Sequence, residues 1–145
     1  MIKNLHISSV DTQISKSALH ELIKALSEEL NFRIESLEIN FTNSEKIREI
    51  NREYLNHYYS TDILSFNYSE DISILDGEII ISLDDARNNS KKFKVPFNQE
   101  IARLVIHGVL HLIGFDDNNR LNKIKMKRME NKLLNRFKFI LLRSR

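Results

Sequence analysis

Cysteine and tryptophan are absent from the 145 residues, and there are only one proline and three glycines. Without thiols the chain has no disulfide framework, no thiolate-held iron–sulfur cluster, no cysteine zinc finger and no cysteine nucleophile. Any metal site must therefore be assembled mainly from His, Asp and Glu. The scarcity of Gly and Pro leaves no linker-like tract, and no repeat or low-complexity segment interrupts the chain. Its length fits one domain, 1–145, on the expectation of about 100–200 residues per domain. Long apolar runs are missing as well. Phe139-Ile-Leu-Leu142 falls far short of the ~20 residues that cross a bilayer, and Met1–Val10 lacks the apolar core of a signal peptide. The expectation is a cytoplasmic protein with no membrane association.

Net charge is small too, with 22 Lys+Arg against 20 Asp+Glu and a formal +2. The distribution is uneven. Residues 118–145 hold ten basic residues and one acid, Glu130, so that segment is +9 and residues 1–117 are −7. Ten like charges on one segment are not an ordinary self-neutralising helix face; a polyanionic partner is the expectation.

The apolar pattern alternates between periods of two and 3.6. Ile2–Ile7 reads as a strand. Ser17–Leu30, with Leu19, Leu22, Ile23 and Leu26 on one face, reads as a helix. Ser36–Thr42 alternates as a half-buried strand. Thr42-Asn-Ser-Glu45 fits a capping box opening a helix to about Leu55, with Ile47, Ile50 and Tyr54 inward. Asp62–Tyr68 and Gly77–Ser82 are strands, the second carrying the β-branched run 79–81. Ser82 starts a helix to about Phe93, and Pro96 closes that segment. Asn98 caps a helix that Gly114 ends. The last helix covers about Leu121–Leu142, with Leu121, Ile124, Met129, Leu133, Phe137 and Ile140 inward. The class is α/β or α+β, a small mixed sheet of about four strands packed with helices.

Chemistry concentrates in 107–117. His107 and His111 are one helical turn apart, so both imidazoles lie on one face and can share a divalent ion. Gly114 turns the chain back, and Asp117 or its neighbour Asp116 can supply an oxygen. Three protein ligands with an open fourth position is the pattern of a catalytic zinc. Gly108 stands where a zincin protease carries the Glu of His-Glu-x-x-His, which disfavours peptide hydrolysis. With no side chain, Gly108 lets substrate or neighbouring backbone approach the helix.

His107-Gly-Val-Leu-His111-Leu-Ile-Gly114-Phe-Asp116 resembles the signature of the YbeY family of metal-dependent endoribonucleases, His-Gly-x-Leu-His-Leu-x-Gly-aromatic-Asp-His. Ile50-Asn-Arg-Glu-Tyr54 with Thr61-Asp-Ile-Leu-Ser-Phe66, and Gly77-Glu-Ile79, are similar to two further family blocks. The resemblance implies a zincin-like fold with a metal-bearing helix against a small mixed sheet. It also implies single-strand-specific RNA cleavage in 16S rRNA 3′-end maturation and ribosome quality control, with the 16S rRNA precursor and small ribosomal subunit as partners. His107 and His111 map onto the first two ligands. The family's third histidine is Asp117 here, so the expected metal set and catalytic set is His107, His111 and Asp117. Zinc is the favoured ion, though two histidines and a carboxylate also admit Fe(II), Mn or Ni. Leu55 stands where the family usually has an RNA-contacting Arg, and Arg52, a turn earlier, is the candidate substitute. That loss points to the alternative, a non-catalytic ribosome-assembly factor with a structural metal. Glu78, with Asp76, is the weak candidate for general base. Thr61 and Ser65 are candidates to bind substrate or orient the ligand helix, and Tyr58 and Tyr59 to stack on bases. Lys123, Lys127, Arg128, Lys132 and Arg136 are the candidates to hold the RNA backbone.

Overall fold

The computed structural model describes residues 2–55 and 61–143. Chain order is β1 (Leu5–Ser9), α1 (Lys16–Leu30), β2 (Arg33–Thr42), α2 (Ser44–Leu55), β3 (Ile63–Asn67), β4 (Ile74–Ser82), α3 (Leu83–Phe93), α4 (Phe97–Leu112), α5 (Arg120–Phe137) and α6 (Phe139–Leu142). The four strands form one sheet in the order β1-β2-β4-β3. β1, β2 and β4 run parallel, and β3 is an antiparallel edge strand beside β4. The mixed four-strand α/β architecture is the one the alternating periods predict.

The two faces of the sheet bury different things. Leu37, Ile39 and Phe41 of β2 and Ile79 and Ile81 of β4 join the main core with Leu19, Leu22, Ile23 and Leu26 of α1 and the apolar stripe of α4. The intervening residues point the other way, as strand alternation requires. There Ile80 and Leu64 meet Ile47 of α2 in a second, smaller cluster. α4 and α2 therefore lie on opposite faces, which decides what can reach the histidines.

Local signals explain most boundaries. Ser15 caps α1, accepting the Ala18 N–H at 3.2 Å, and Ser82 caps α3, accepting the Asp85 N–H. Several expectations are corrected. The first strand runs 5–9 rather than 2–7, set by its register against Leu37–Phe41. Thr42 ends β2, so Asn43 takes the capping role, its Oδ1 accepting from Lys46 N at 2.8 Å. Asn98 does not cap α4. The helix starts just after Pro96, and Asn98 Nδ2 instead donates to the Leu141 carbonyl at 3.2 Å. The expected last helix is two, with α5 ending at Phe137 and α6 restarting at Phe139 so that Ile140 and Leu141 are buried. Tyr54, Leu121 and Ile124 are exposed, not inward. On α5 the buried stripe is Met126, Glu130, Leu133 and Leu134. Tyr58, Tyr59 and the side chain of Leu55 lie outside the described residues. Among the described residues no helix is long and apolar enough to cross a membrane.

Candidate metal centre

α4 is fixed to the sheet by Ile101, Leu104, Val105, Gly108, Val109 and Leu112, all buried. Gly108 is the point of closest approach. A Cβ there would stand 2.9–3.1 Å from three side-chain carbons of Ile79. The space that the missing side chain leaves is thus filled by a β4 side chain, not by substrate or backbone. His107 and His111 lie on the flank of this stripe, half-buried, with ring centroids 5.5 Å apart and planes at 62°.

The helix then ends in a Schellman turn. The Phe115 N–H donates to the Leu110 carbonyl at 3.0 Å and the Gly114 N–H to the His111 carbonyl at 3.2 Å. This geometry needs a residue at positive φ, supplied by Gly114 at +106°. The reversal carries Asp117 back to His111, Oδ1 to Nε2 3.8 Å. One donor atom from each of His107, His111 and Asp117 lies within 4.8 Å of the others. Donors about 2 Å from a shared tetrahedral ion stand roughly 3.3 Å apart, so the three would draw together by up to roughly 1.5 Å to share one. Asp116 is occupied elsewhere. Its Oδ1 accepts from Asn122 Nδ2 at 2.7 Å, bracing the start of α5.

The electrostatics suit a cation. Burial, reinforced by the neighbouring His107, pushes the His111 imidazolium below its ordinary pKa, with Asp117 and Asp116 opposing. A neutral imidazole is the form that ligates. His107 Nδ1 lies 2.7 Å from Glu130 Oε1, so its Nε2 is the nitrogen left for an ion.

Glu130 was not singled out as a site residue by the sequence. It is the one acid in the basic segment, and it sits on the buried stripe of α5, only 1% exposed. An acid at a core position of an amphipathic helix was the available signal. Around it lies a polar hub. Arg103 makes two bonds to the buried Glu100, at 2.8 and 2.6 Å, and approaches Glu130 at 3.5 Å and Asp62 at 3.9 Å. Asn89 Nδ2 bridges Asp62 and Glu100 at 3.2 and 3.1 Å. Lys127 Nζ donates to Glu130 at 3.0 Å. Burial pushes the Glu130 carboxyl up, but hydrogen bonds from His107 and Lys127 outweigh it and hold it below the usual range.

A family model described as Endoribonuclease YbeY matches residues 2–138. The chain belongs to the endoribonuclease YbeY family. The YbeY of Chlorobium phaeobacteroides is 38% identical over 125 residues, covering 86% of this chain and 87% of that one. The Bacteroides fragilis (strain YCH46) YbeY is 40% identical over 121 residues, covering 83% and 86%. The solution structure of TM1509 from Thermotoga maritima superposes with TM-score 0.64 at 24% identity, covering 90% of this chain and 87% of that one, and shows the same fold.

Within this YbeY-family chain the other candidates separate. Glu78 and Asp76 alternate with Gly77 and Ile79, which face α4, so they point to the opposite side of the sheet. Glu78 accepts from Asn40 Nδ2 at 2.6 Å there and does not join the histidines, which corrects the expectation of a nearby base. Arg52 is exposed on α2, also on that opposite face. Thr61 Oγ1 makes a local turn bond to the Ile63 carbonyl at 3.4 Å. Ser65 pairs with Ile79 and so shares its side of the sheet with α4. Lys123 and Lys127 line a groove of about 310 Å³ with His107, Asp117, Arg103, Met126 and Glu130. Arg128 and Lys132 are exposed along α5, whereas Arg136 is paired with Glu29 of α1. A larger depression, about 600 Å³ between α1 and the start of β2, holds His20 and none of the cluster.

Proposed function

We propose that the chain is a metal-dependent endoribonuclease that hydrolyses single-stranded RNA in the cytoplasm, acting in 16S rRNA 3′-end maturation and ribosome quality control, with the 16S rRNA precursor on the small ribosomal subunit as its substrate. The observation that carries this is the convergence of His107, His111 and Asp117 on one end of α4, in a chain of an endoribonuclease family.

The three residues would hold one divalent ion, and two nitrogens with one oxygen favour Zn²⁺. Such an ion supplies Lewis-acid polarisation of a phosphoryl oxygen and a bound water of lowered pKa. The chain's part is to bind and orient. His107 presents Nε2 because Glu130 engages Nδ1. Asp117 would bring to that set a negative charge that an all-histidine set lacks. Lys123 and Lys127 line the adjoining groove and offer cationic partners to the RNA backbone, with Arg128 and Lys132 extending the positive face along α5. Salt-dependent binding follows from phosphate contacts of this kind.

Cleavage of a single-stranded rRNA-like oligonucleotide by metal-loaded wild type and by His111→Ala, with elemental analysis of both, tests this reading. Wild type is expected to cleave and His111→Ala to lose both metal and cleavage. Equal rates would assign the activity to a contaminating nuclease. The Leu55 position favours a second reading, a non-catalytic ribosome-assembly factor with a structural metal. Metal-bearing wild type that binds RNA and leaves it intact would select that one.

A further inference from the structure

The hub behind the histidines has no obvious structural need for its charges. Glu100 and Glu130 are each 1% exposed, and two carboxylates buried together are costly unless paired and fully hydrogen-bonded. An apolar α4–α5 contact would hold the helices at least as well. What the charged version adds is direction. Glu130 Oε1 meets His107 Nδ1 at 2.7 Å, while its Oε2 is taken by Lys127 at 3.0 Å and approached by Arg103 at 3.5 Å. Arg103 is itself fixed by two bonds to Glu100, and Asn89 ties Glu100 to Asp62 at the head of β3. Arg103 of α4 and Lys127 of α5 thus meet the Glu130 carboxylate directly, Asn89 and Asp62 act on it only through Glu100 and Arg103, and that carboxylate touches one ring nitrogen.

We propose that Glu130 is a positioning residue for the metal centre: its buried carboxylate, oriented by Arg103 and Lys127, accepts the Nδ1 proton of His107 and so fixes the ring and the tautomer that leaves Nε2 bare. The inference deepens the metallonuclease reading and rests on it for the identity of the site. Its physical basis is general. A ligating histidine usually donates its other N–H to a carboxylate or carbonyl, and loss of that partner lowers metal affinity about 10–100-fold. Glu130 lines the same groove, and its link to the metal set is the bond to His107 Nδ1, so it acts through His107.

The test uses the whole chain in metal-free and Zn²⁺-loaded forms. Nitrogen-15 NMR of the metal-free protein at alkaline pH reads the His107 tautomer directly. The Nδ1–H form is expected, and an Nε2–H form in wild type overturns the proposal with no variant needed. Zn²⁺ affinity by chelator competition then compares Glu130→Ala, expected to lose about 10–100-fold, with Glu130→Gln, whose carbonyl can still accept the Nδ1 proton and is expected to recover most of the loss. A merely structural role would show as a lowered unfolding midpoint with His107 tautomer and Zn²⁺ affinity unchanged in Glu130→Ala, and that result refutes the proposal. Failure of the underlying reading looks different: wild type and His111→Ala then bind Zn²⁺ equally weakly, whatever the tautomer.

Discussion

Replacing Gly108 by Ala sets two known effects against each other. In a helix interior Ala is favoured over Gly by up to about 1 kcal/mol, so an open site would gain stability. Here the new methyl would lie 2.9 Å from Ile79 Cδ1, 3.0 Å from Cγ2 and 3.1 Å from Cγ1. Ile79 is fully buried in the main core, so none of these carbons has solvent to move into, and overpacking of this kind costs about 1–3 kcal/mol. The net expectation is a loss of up to about 2 kcal/mol. Urea unfolding of the metal-free protein measures it, and Ile79→Val makes the attribution specific. In wild type that truncation should cost about 0.5–1.5 kcal/mol. In the Gly108→Ala background it removes the nearest clashing carbon, so its cost should vanish or reverse, a coupling of about 1 kcal/mol. Additivity within about 0.5 kcal/mol, or a Gly108→Ala variant more stable than wild type, would refute the claim that α4 and β4 meet at this glycine. Because His107 adjoins Gly108, the same variant should also weaken metal binding, and Ile79→Val should partly restore it.

The other predictions concern separate parts of the molecule. Asp117→Ala should lower the metal content of the purified protein while Asp116→Ala leaves it nearly intact and destabilises the start of α5; elemental analysis and thermal unfolding of the pair would detect the reverse ranking. Gly77→Ala should be costlier than Gly108→Ala in the same urea assay, because its Cβ would stand 2.6 Å from the backbone carbonyl oxygen of Phe66, which cannot rotate away. Lys123→Ala should reduce the slope of log affinity against log salt for a single-stranded RNA by about 0.7, the value of one lost phosphate contact; an unchanged slope removes Lys123 from the interface. Asp84 accepts the Ser44 N–H and hydroxyl at 2.9 and 3.0 Å, which hold its carboxyl below the usual value. A depressed carboxyl stabilises the fold above its unfolded pKa, and the effect is lost as pH falls through the folded one. The stability difference between wild type and Asp84→Ala should therefore be full at neutral pH and fade in acid below about 3.8; a difference that grows in acid would contradict the assignment.

The parts of the molecule legible in the sequence are those governed by one local rule. The periodicity of 17–30 and 36–42 marks α1 and β2 because each buries a single face against the same core. The two histidines and Gly114 are legible for the same reason: helical spacing and a glycine at the C′ position are short-range facts. What escapes is set by partners distant in sequence. Tyr54, Leu121 and Ile124 fall at apolar positions of their helices yet are exposed, since among the described residues the core lies against other flanks of those helices. Glu78 sits in a matching block and still faces away from the histidines, because strand alternation and the Gly77–Leu112 and Ile79–Gly108 contacts fix which side of β4 meets α4.

The division of charge follows the same logic. Counted along the chain, 118–145 is a +9 segment with one stray acid. In the fold that acid is the buried member, while several of the cations line the groove beside it or stay on the surface. A fully solvated basic helix would have no reason to place its only carboxylate on the apolar stripe. Placed there, Glu130 is neutralised locally by Arg103 and Lys127 and still has one oxygen for His107.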